Sequence, residues 1–125
     1  MAVRGHQNST RSVFTSAPRT ELTNSSDQRN DDNRGVRVRI NTSAVTATGS
    51  VVFKIQGKTP VGAYEDILSG VAVTAAGDSV LTVYPGLVAA ANSVANAIVP
   101  ARWRVVATHA NAVSVTYSAS AELFV

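Results

Sequence analysis

The sequence predicts an all-β protein, an antiparallel β-sandwich or barrel-like domain with an extended N-terminal arm, on the basis of three observations. Residues 113–125 alternate apolar and polar side chains almost strictly, which is typical of a strand with one buried face. Several short apolar runs precede this stretch, and turn residues such as Gly, Pro and Asn separate them. The composition is rich in Val and Thr and poor in Leu, and this mixture favours pleated sheet over helix.

Residues 1–35 are expected to form an extended N-terminal docking arm, because they are polar and hold too few apolar side chains for a core. No helical or strand period runs through them, and their composition predicts disorder in isolation. The stretch up to residue 39 carries seven arginines and four acidic residues, which accounts for the whole formal charge of +3. Arginine favours bidentate contacts to carboxylates or phosphates. The arm is therefore predicted to lie along a partner, either another copy or a different protein.

The sandwich domain is predicted to span residues 36–125 and to begin with a strand at 36–40, where apolar and basic residues alternate. Gly35 is expected to provide the turn at the hinge between the arm and this domain. The apolar residues of the strand anchor the arm to the core. Arg37 and Arg39 lie on the opposite face, where a partner can reach them.

Further strands are expected in close order, each ended by turn residues. In the second strand, SVVFKIQ, the side chains of Val51, Phe53 and Ile55 share one face. The stretch 87–100 is rich in Ala, but its Asn residues and Pro100 favour a short helix or a loop over a long regular helix. The strands predicted after the first are 50–56, 64–68, 71–74, 79–84, 102–108 and 113–125.

The sequence offers little that resembles a catalytic or metal centre. It has no cysteine, which excludes disulfides, thiolate metal sites and cysteine nucleophiles. The two histidines, His6 and His109, are far apart in sequence, and His109 is expected to be a solvated turn residue. No run approaches the ~18 apolar residues of a membrane span, and the N-terminus has no apolar stretch of signal-peptide length. We therefore expect no enzymatic activity, no cofactor, no metal and no membrane partner.

Nucleic-acid binding is an alternative that the sequence disfavours. Trp103 lies between two arginines, but on a strand it points away from both, so a core or interface role is the better interpretation. The seven arginines of the first 39 residues are diluted by four acidic residues, which weakens a phosphate-neutralising role. Gly57-Lys58-Thr59 is not a phosphate-binding loop, because Pro60 prevents the helix that must follow it.

An ordered series of short elements resembles small proteins of tailed bacteriophages. These elements are IQGK, a Tyr-Asp-Ile-Leu-like strand, the strand end LTVYPGL, the strand WRVVATHA and the strand SVTYS. The resemblance spans roughly residues 49–125 and leaves out the arm. Each element is weak alone, but their order is fairly specific. The resemblance implies a virion structural protein, and within that class a capsid decoration or cement protein.

This resemblance implies a location on the capsid surface of the virion, after synthesis in the host cytoplasm. The expected partners are the major capsid protein and further copies of the same chain. The alternatives are another virion component, such as a tail, connector or fibre-base protein, and a nucleic-acid-binding module. Extended arms suit capsid binding, because main-chain hydrogen bonds give affinity and intermittent side chains give register. Deletion of residues 1–35 is expected to leave a folded core that no longer binds the capsid.

The predicted partner contacts lie in the arm and the first strand. Their arginines are expected to pair with capsid carboxylates, and Phe14 and Leu22 to fill small apolar pockets. The candidate residues are Arg4, Arg11, Val13, Phe14, Arg19, Leu22, Arg29, Arg34, Arg37 and Arg39.

Overall fold

The structure, a computed structural model, describes residues 7–125 and contains ten β-strands in two sheets packed against each other. No helix is present among these residues, so the prediction of an all-β sandwich is confirmed. The strands are β1 (Ser9–Arg19), β2 (Thr23–Asn24), β3 (Gln28–Arg29), β4 (Gly35–Val45), β5 (Val51–Lys58), β6 (Tyr64–Ser69), β7 (Gly77–Val83), β8 (Val94–Ala95), β9 (Arg102–His109) and β10 (Val115–Phe124).

The first sheet has the strand order β1-β10-β4-β7-β8, antiparallel except for the parallel pair β7 and β8. The second sheet has the order β2-β9-β5-β6, and β3 also pairs with β9. Between β2 and β3, Ser25 continues this pairing. Its amide donates to the Val105 carbonyl over 2.8 Å, and its hydroxyl accepts from the Val105 amide over 2.9 Å. The two short strands therefore act as one interrupted edge strand along β9.

The core lies between the two sheets and follows the period-two pattern of the strands. Its largest side chains belong to Trp103, Tyr117 and Phe53, which are at most 1% exposed. In β5 the inner-face residues are buried as predicted, and in β10 every second residue from Val115 to Leu123 is buried. Burying one large apolar side chain contributes about 1.5–3 kcal/mol, so this alternation decides which face of each strand turns inward.

The N-terminal segment, defined here as residues 9–29, differs from the arm that the composition predicts. Its strand β1 pairs with β10 along the edge of the first sheet, and β2 and β3 pair with the edge of the second. Phe14 is only 5% exposed and belongs to the core. The physical reason is that both sheet edges carry main-chain groups that need partners, and this segment supplies them. The described part of the expected arm is therefore integrated into the sandwich.

The turn expected at Gly35 does not form, because Gly35 is the first residue of β4 and pairs with Phe124. A Cβ atom added there would overlap the ring of Tyr84 and the main-chain oxygen of Val83. Glycine is therefore needed at this position for the close approach of β7 to β4.

Residues 71–74 are less regular than predicted, whereas residues 87–100 agree with one of the two structures predicted for them. Within 71–74, only Val73 makes an isolated bridge, to Val51. The stretch 87–100 contains no helix but has turns and the two-residue strand β8. Asn92 adopts a φ of 64°, and this left-handed residue turns the chain just before β8. The sequence predicts a short helix or a loop for this stretch, and a loop containing one short strand forms.

Candidate functional site

Arg19 stabilises the N-terminal segment from within the chain. Two bulges interrupt the pairing of β1 with β10, and bulges leave main-chain groups without ladder partners. The Arg19 guanidinium donates to the carbonyl oxygens of Thr15 at 2.7 Å, Ala17 at 3.2 Å and Tyr117 at 2.8 Å. It also lies over the rings of Phe14, 5.1 Å from the centroid, and Tyr117, at 4.6 Å. Arg19 therefore uses its guanidinium group to stabilise its own fold.

The apolar candidates of the segment have different environments. Phe14 packs edge-to-face on Tyr117 with ring centroids 5.7 Å apart, and Val13 is half-buried against the same core. Phe14 therefore fills a pocket of its own chain, contrary to the expectation that it fills one on a partner. Leu22 is 55% exposed, so its side chain remains accessible to a partner.

Arg11 and Arg29 connect the edges of the two sheets. The Arg11 guanidinium donates to the Arg29 carbonyl over 3.2 Å, which ties β1 to β3. The Arg29 side chain pairs with Asp31 at 2.6 Å on the surface. Arg34 has an exposed side chain, and its main chain bonds to Phe124 and Val99. Arg4, the remaining candidate of the arm, lies outside the described residues.

Arg37 and Arg39 lie on the outer face of the first sheet, as predicted. The Arg39 Nε atom is 3.1 Å from Glu122 Oε1, and Arg37 Nη1 is 4.0 Å from the same oxygen. The Arg37 guanidinium also lies 5.2 Å from the centroid of the Phe124 ring. Two cations therefore share one carboxylate, and this part of the face keeps an excess positive charge.

Beside Arg39 lies a groove of about 530 Å³, called the outer groove below. Small hydroxyl side chains of β1 and β10, among them Ser12, Ser118 and Ser120, line one part of it. The opposite part is formed by Asn41, Asp78 and Val80, and Asn41 Nδ2 donates to Asp78 Oδ1 over 2.7 Å. This groove was not predicted from the sequence. Its signal was the polar half of the alternation in 113–125, which lies on this outer face.

On the outer face of the second sheet, most charged side chains form ion pairs or hydrogen bonds with one another. Asp27 accepts from the Tyr64 hydroxyl over 2.7 Å and pairs with Lys58 at 3.1 Å. The Tyr64 hydrogen bond, followed by that of Lys58, lowers the pKa of Asp27 below its ordinary value. The Arg104 guanidinium stacks on Tyr64 at 3.5 Å from the ring centroid. This stacking agrees with the prediction that Trp103 is in the core and Arg104 faces away.

The same network continues along the β5–β6 pair. Arg104 Nε donates to Gln56 over 2.9 Å, and Gln56 Nε2 donates to Asp66 over 2.7 Å. The hydrogen bond from Gln56 lowers the pKa of Asp66, and the charge of Lys54 lowers it further against the effect of burial. Because most charged groups here already have partners, this face offers less to an incoming molecule than the first sheet does.

His109 is not the solvated turn residue that the sequence predicts. It ends β9, opposite Val51, and is half-buried, with Nε2 3.1 Å from the hydroxyl of the buried Tyr117. Burial lowers the pKa of His109 below its ordinary value, and the nearby charge of Arg19 lowers it further. Burial raises the pKa of Tyr117. His109 thus belongs to the cluster that holds the N-terminal segment.

In the part of the chain that the structure describes, no three His, Cys, Asp or Glu side chains gather as metal ligands. Within those same residues, none of the secondary structure is a helix with the length and hydropathy needed to cross a bilayer.

The fold defines the chain as a two-sheet β-sandwich protein, and comparison with solved structures finds a similar fold in a chain of a virus structure. A chain in the structure of infectious bursal disease virus, Gx strain, aligns with a TM-score of 0.56 and 10% sequence identity over 94% of this chain. The alignment covers 32% of that viral chain. A chain in the structure of the Gt strain aligns with a TM-score of 0.48 and 9% identity. At such identities the likeness concerns the fold alone.

No protein-family model and no curated protein matches this sequence.

Proposed function

We propose that this protein is a virion structural protein that decorates a capsid by binding the major capsid protein, and that its role is structural and not enzymatic. The observation that carries the proposal is the fold shared with a chain of a virus structure over 94% of this chain. The resemblance of residues 49–125 to small tailed-phage proteins points in the same direction.

The first sheet provides the surface best suited to this role. Its outer face combines two arginines that share one carboxylate with the hydroxyl-lined outer groove. Arg37 and Arg39 can donate several further hydrogen bonds to carboxylates of a partner. Many modest contacts of this kind add up on a shell, because each bound copy meets neighbouring sites at high effective concentration. Leu22, Arg29 and Arg34 of the original candidates are also exposed, with Arg29 paired to Asp31.

Imaging the particle that contains this protein tests the proposal directly. Virions of the encoding virus, averaged by electron cryomicroscopy, are expected to carry copies of the sandwich in a regular lattice over the shell. Particles made without the gene are expected to lack this density. A single ring or a few copies at one vertex would instead assign a tail or connector role, and particles without the protein would overturn a virion role.

Adding the purified protein back to capsids that lack it tests the surface. Sedimentation is expected to show saturable binding that the double variant R37S/R39S weakens about tenfold, which corresponds to about 1.4 kcal/mol. The matched control K54S/R102S removes two cations from the second sheet and is expected to bind like the wild type. Binding of R37S/R39S equal to that of the control would exclude Arg37 and Arg39 as contacts.

A further inference from the structure

The edge of β7 is only partly covered. On one side β7 pairs with β4 over its whole length, from Thr42–Gly77 to Val36–Val83. On the other side, Thr82 donates to the Ser93 carbonyl at 2.9 Å and Tyr84 donates to the Ala95 carbonyl at 3.1 Å. These two bonds mark the extent of β8, and among the described residues no other strand continues along this edge.

At the beginning of β7, main-chain amide and carbonyl groups therefore point outward from the edge of the sheet without a partner strand in the described part of the chain. Main-chain groups of alternate strand residues point to the same side, so Val80 and Asp78 face the edge on which Thr82 and Tyr84 meet β8. The left-handed residue Asn92 turns the chain away just before this point. The edge along residues 77–81, called the open edge below, thus presents two amides and two carbonyl oxygens in a row.

A small apolar pocket lies directly beside the open edge, between the two sheets. Its volume is about 140 Å³, and its floor includes Ile40, Phe53 and Leu81. Val71 and Val80 form part of its rim and are 68% and 38% exposed. A strand placed beside the open edge would direct every second side chain inward, toward this pocket. The volume suits one small apolar side chain.

We propose that the open edge receives an extended segment of the capsid partner, which adds to the first sheet as a short strand in line with β8. This inference rests on the proposed function and specifies where the partner binds. The segment carries a small apolar residue that enters the pocket beside Val71 and Val80. A neighbouring basic residue faces the exposed carboxylate of Asp78, whose only polar side-chain contact among the described residues is Asn41.

The size of the edge argues for a flexible segment and against a second folded copy. Two residues supply at most four main-chain hydrogen bonds, and β8 blocks extension at one end. A stable interface between two folded proteins buries about 1,200–2,000 Å² in total, far more than such a short strand provides. A segment of a subunit that is already held on the shell by other contacts does not need that area.

Hydrogen exchange on the unmodified protein provides the first test. Wild-type protein is bound to capsids that lack it, and amide exchange is compared with that of the free protein. The peptide containing residues 77–81 is expected to become protected upon binding. Protection confined to other surfaces, with residues 77–81 unchanged, would overturn the inference while leaving capsid binding intact. A dimer that forms without capsids and protects residues 77–81 would also overturn it, because the occupant would then be a second copy.

A pair of substitutions at Val80 provides the second test. In V80P the outward amide is lost and proline is tolerated at an edge, so pairing with β4 is retained. We expect capsid binding in the sedimentation assay to weaken at least tenfold in V80P, and about threefold or less in V80A, which keeps the amide. Equal binding by V80P and wild type contradicts the inference. Absence of binding by the wild type itself contradicts the proposed function instead.

Discussion

The two sides of the sandwich end in different ways. On one side the N-terminal segment covers both sheets, with β1 on β10 and with β2 and β3 on β9. On the other side the second sheet ends at β6 and the first sheet ends at β8, which pairs with β7 over only two residues. A covered edge contributes to the stability of the isolated chain, whereas an open edge keeps main-chain groups that a partner can use. The comparison separates residues that maintain the fold from residues that are available for binding.

The covered side also shows why arginines of the N-terminal segment are poor evidence for docking. Arg19 donates three hydrogen bonds to carbonyl oxygens, and Arg11 joins the segment's two edge strands. The large number of arginines in the N-terminal segment suggests an external anionic partner. The acceptors of Arg11 and Arg19, however, are main-chain oxygens of the same chain. Arg37 and Arg39 on the first sheet have their guanidinium groups on the outer face, and Arg29 and Arg34 are also exposed.

Deleting residues 1–29 is expected to have the largest effect on stability. It tests most directly whether the N-terminal segment maintains the fold. Removal exposes the edges of β10 and β9 and takes Phe14 out of the core. We expect the shortened chain to lose its cooperative thermal transition and to aggregate, as measured by circular dichroism and light scattering. A soluble, monomeric 30–125 fragment with a cooperative transition would contradict this and would restore the idea of a separate arm.

Phe14 is expected to dominate the contribution of the segment's side chains. The substitution F14A removes a ring that is 5% exposed and leaves a cavity next to Tyr117, so it is expected to cost about 3 kcal/mol in the free energy of unfolding. Urea denaturation measures this cost. The matched control L22A truncates a side chain of the same segment that is 55% exposed, and a change within about 0.5 kcal/mol is expected. Similar values for both variants would mean that the segment does not pack as described.

Arg19 is expected to contribute less than Phe14. R19A removes the donors for three carbonyl oxygens at the bulged edge and the stacking on two rings, at an expected cost of about 2 kcal/mol. R19K keeps the positive charge but not the planar fork, so it is expected to recover only part of the loss in urea denaturation. Full recovery by lysine would show that charge alone matters and that the bulge carbonyls are satisfied in another way.

Sequence reasoning was successful where a structure depends on local alternation. The inner faces of β5 and β10, the outward direction of Arg37 and Arg39 and the burial of Trp103 all follow from period two. It failed for the N-terminal segment, because its partners lie at the other end of the chain: Ser9 pairs with Leu123. A polar segment needs few apolar residues of its own when it only completes the edges of an existing sandwich.

The same limit applies to the binding surfaces. The outer groove and the open edge each combine residues from separate strands, so their residues are not adjacent in sequence. Gly35 was misinterpreted for the same reason. Glycine suggested a turn, but this position requires glycine because the Tyr84 ring, about fifty positions away in sequence, packs against it. Spacing along the chain cannot reveal such constraints.

The smallest expected effect is a pH dependence of the covered side, caused by His109. Tyr117 and Arg19 are the groups that face its ring, and burial and the Arg19 charge hold its pKa below the ordinary value. In the unfolded chain His109 takes up a proton near pH 6.5, whereas in the folded protein it does so only at lower pH. The unfolded state therefore binds more protons in this window, and stability falls as the pH decreases below about 6.5.

Urea denaturation between pH 7.5 and 5 measures this dependence above the range in which carboxylates titrate. The wild type is expected to lose stability as the pH falls below about 6.5, because a proton on His109 places a charge in a half-buried site and beside Arg19. The variant H109F keeps an aromatic ring but no titrating group, so its stability is expected to stay nearly constant. Parallel curves for the two proteins would assign the dependence to other groups and would remove His109 from the cluster that holds the N-terminal segment.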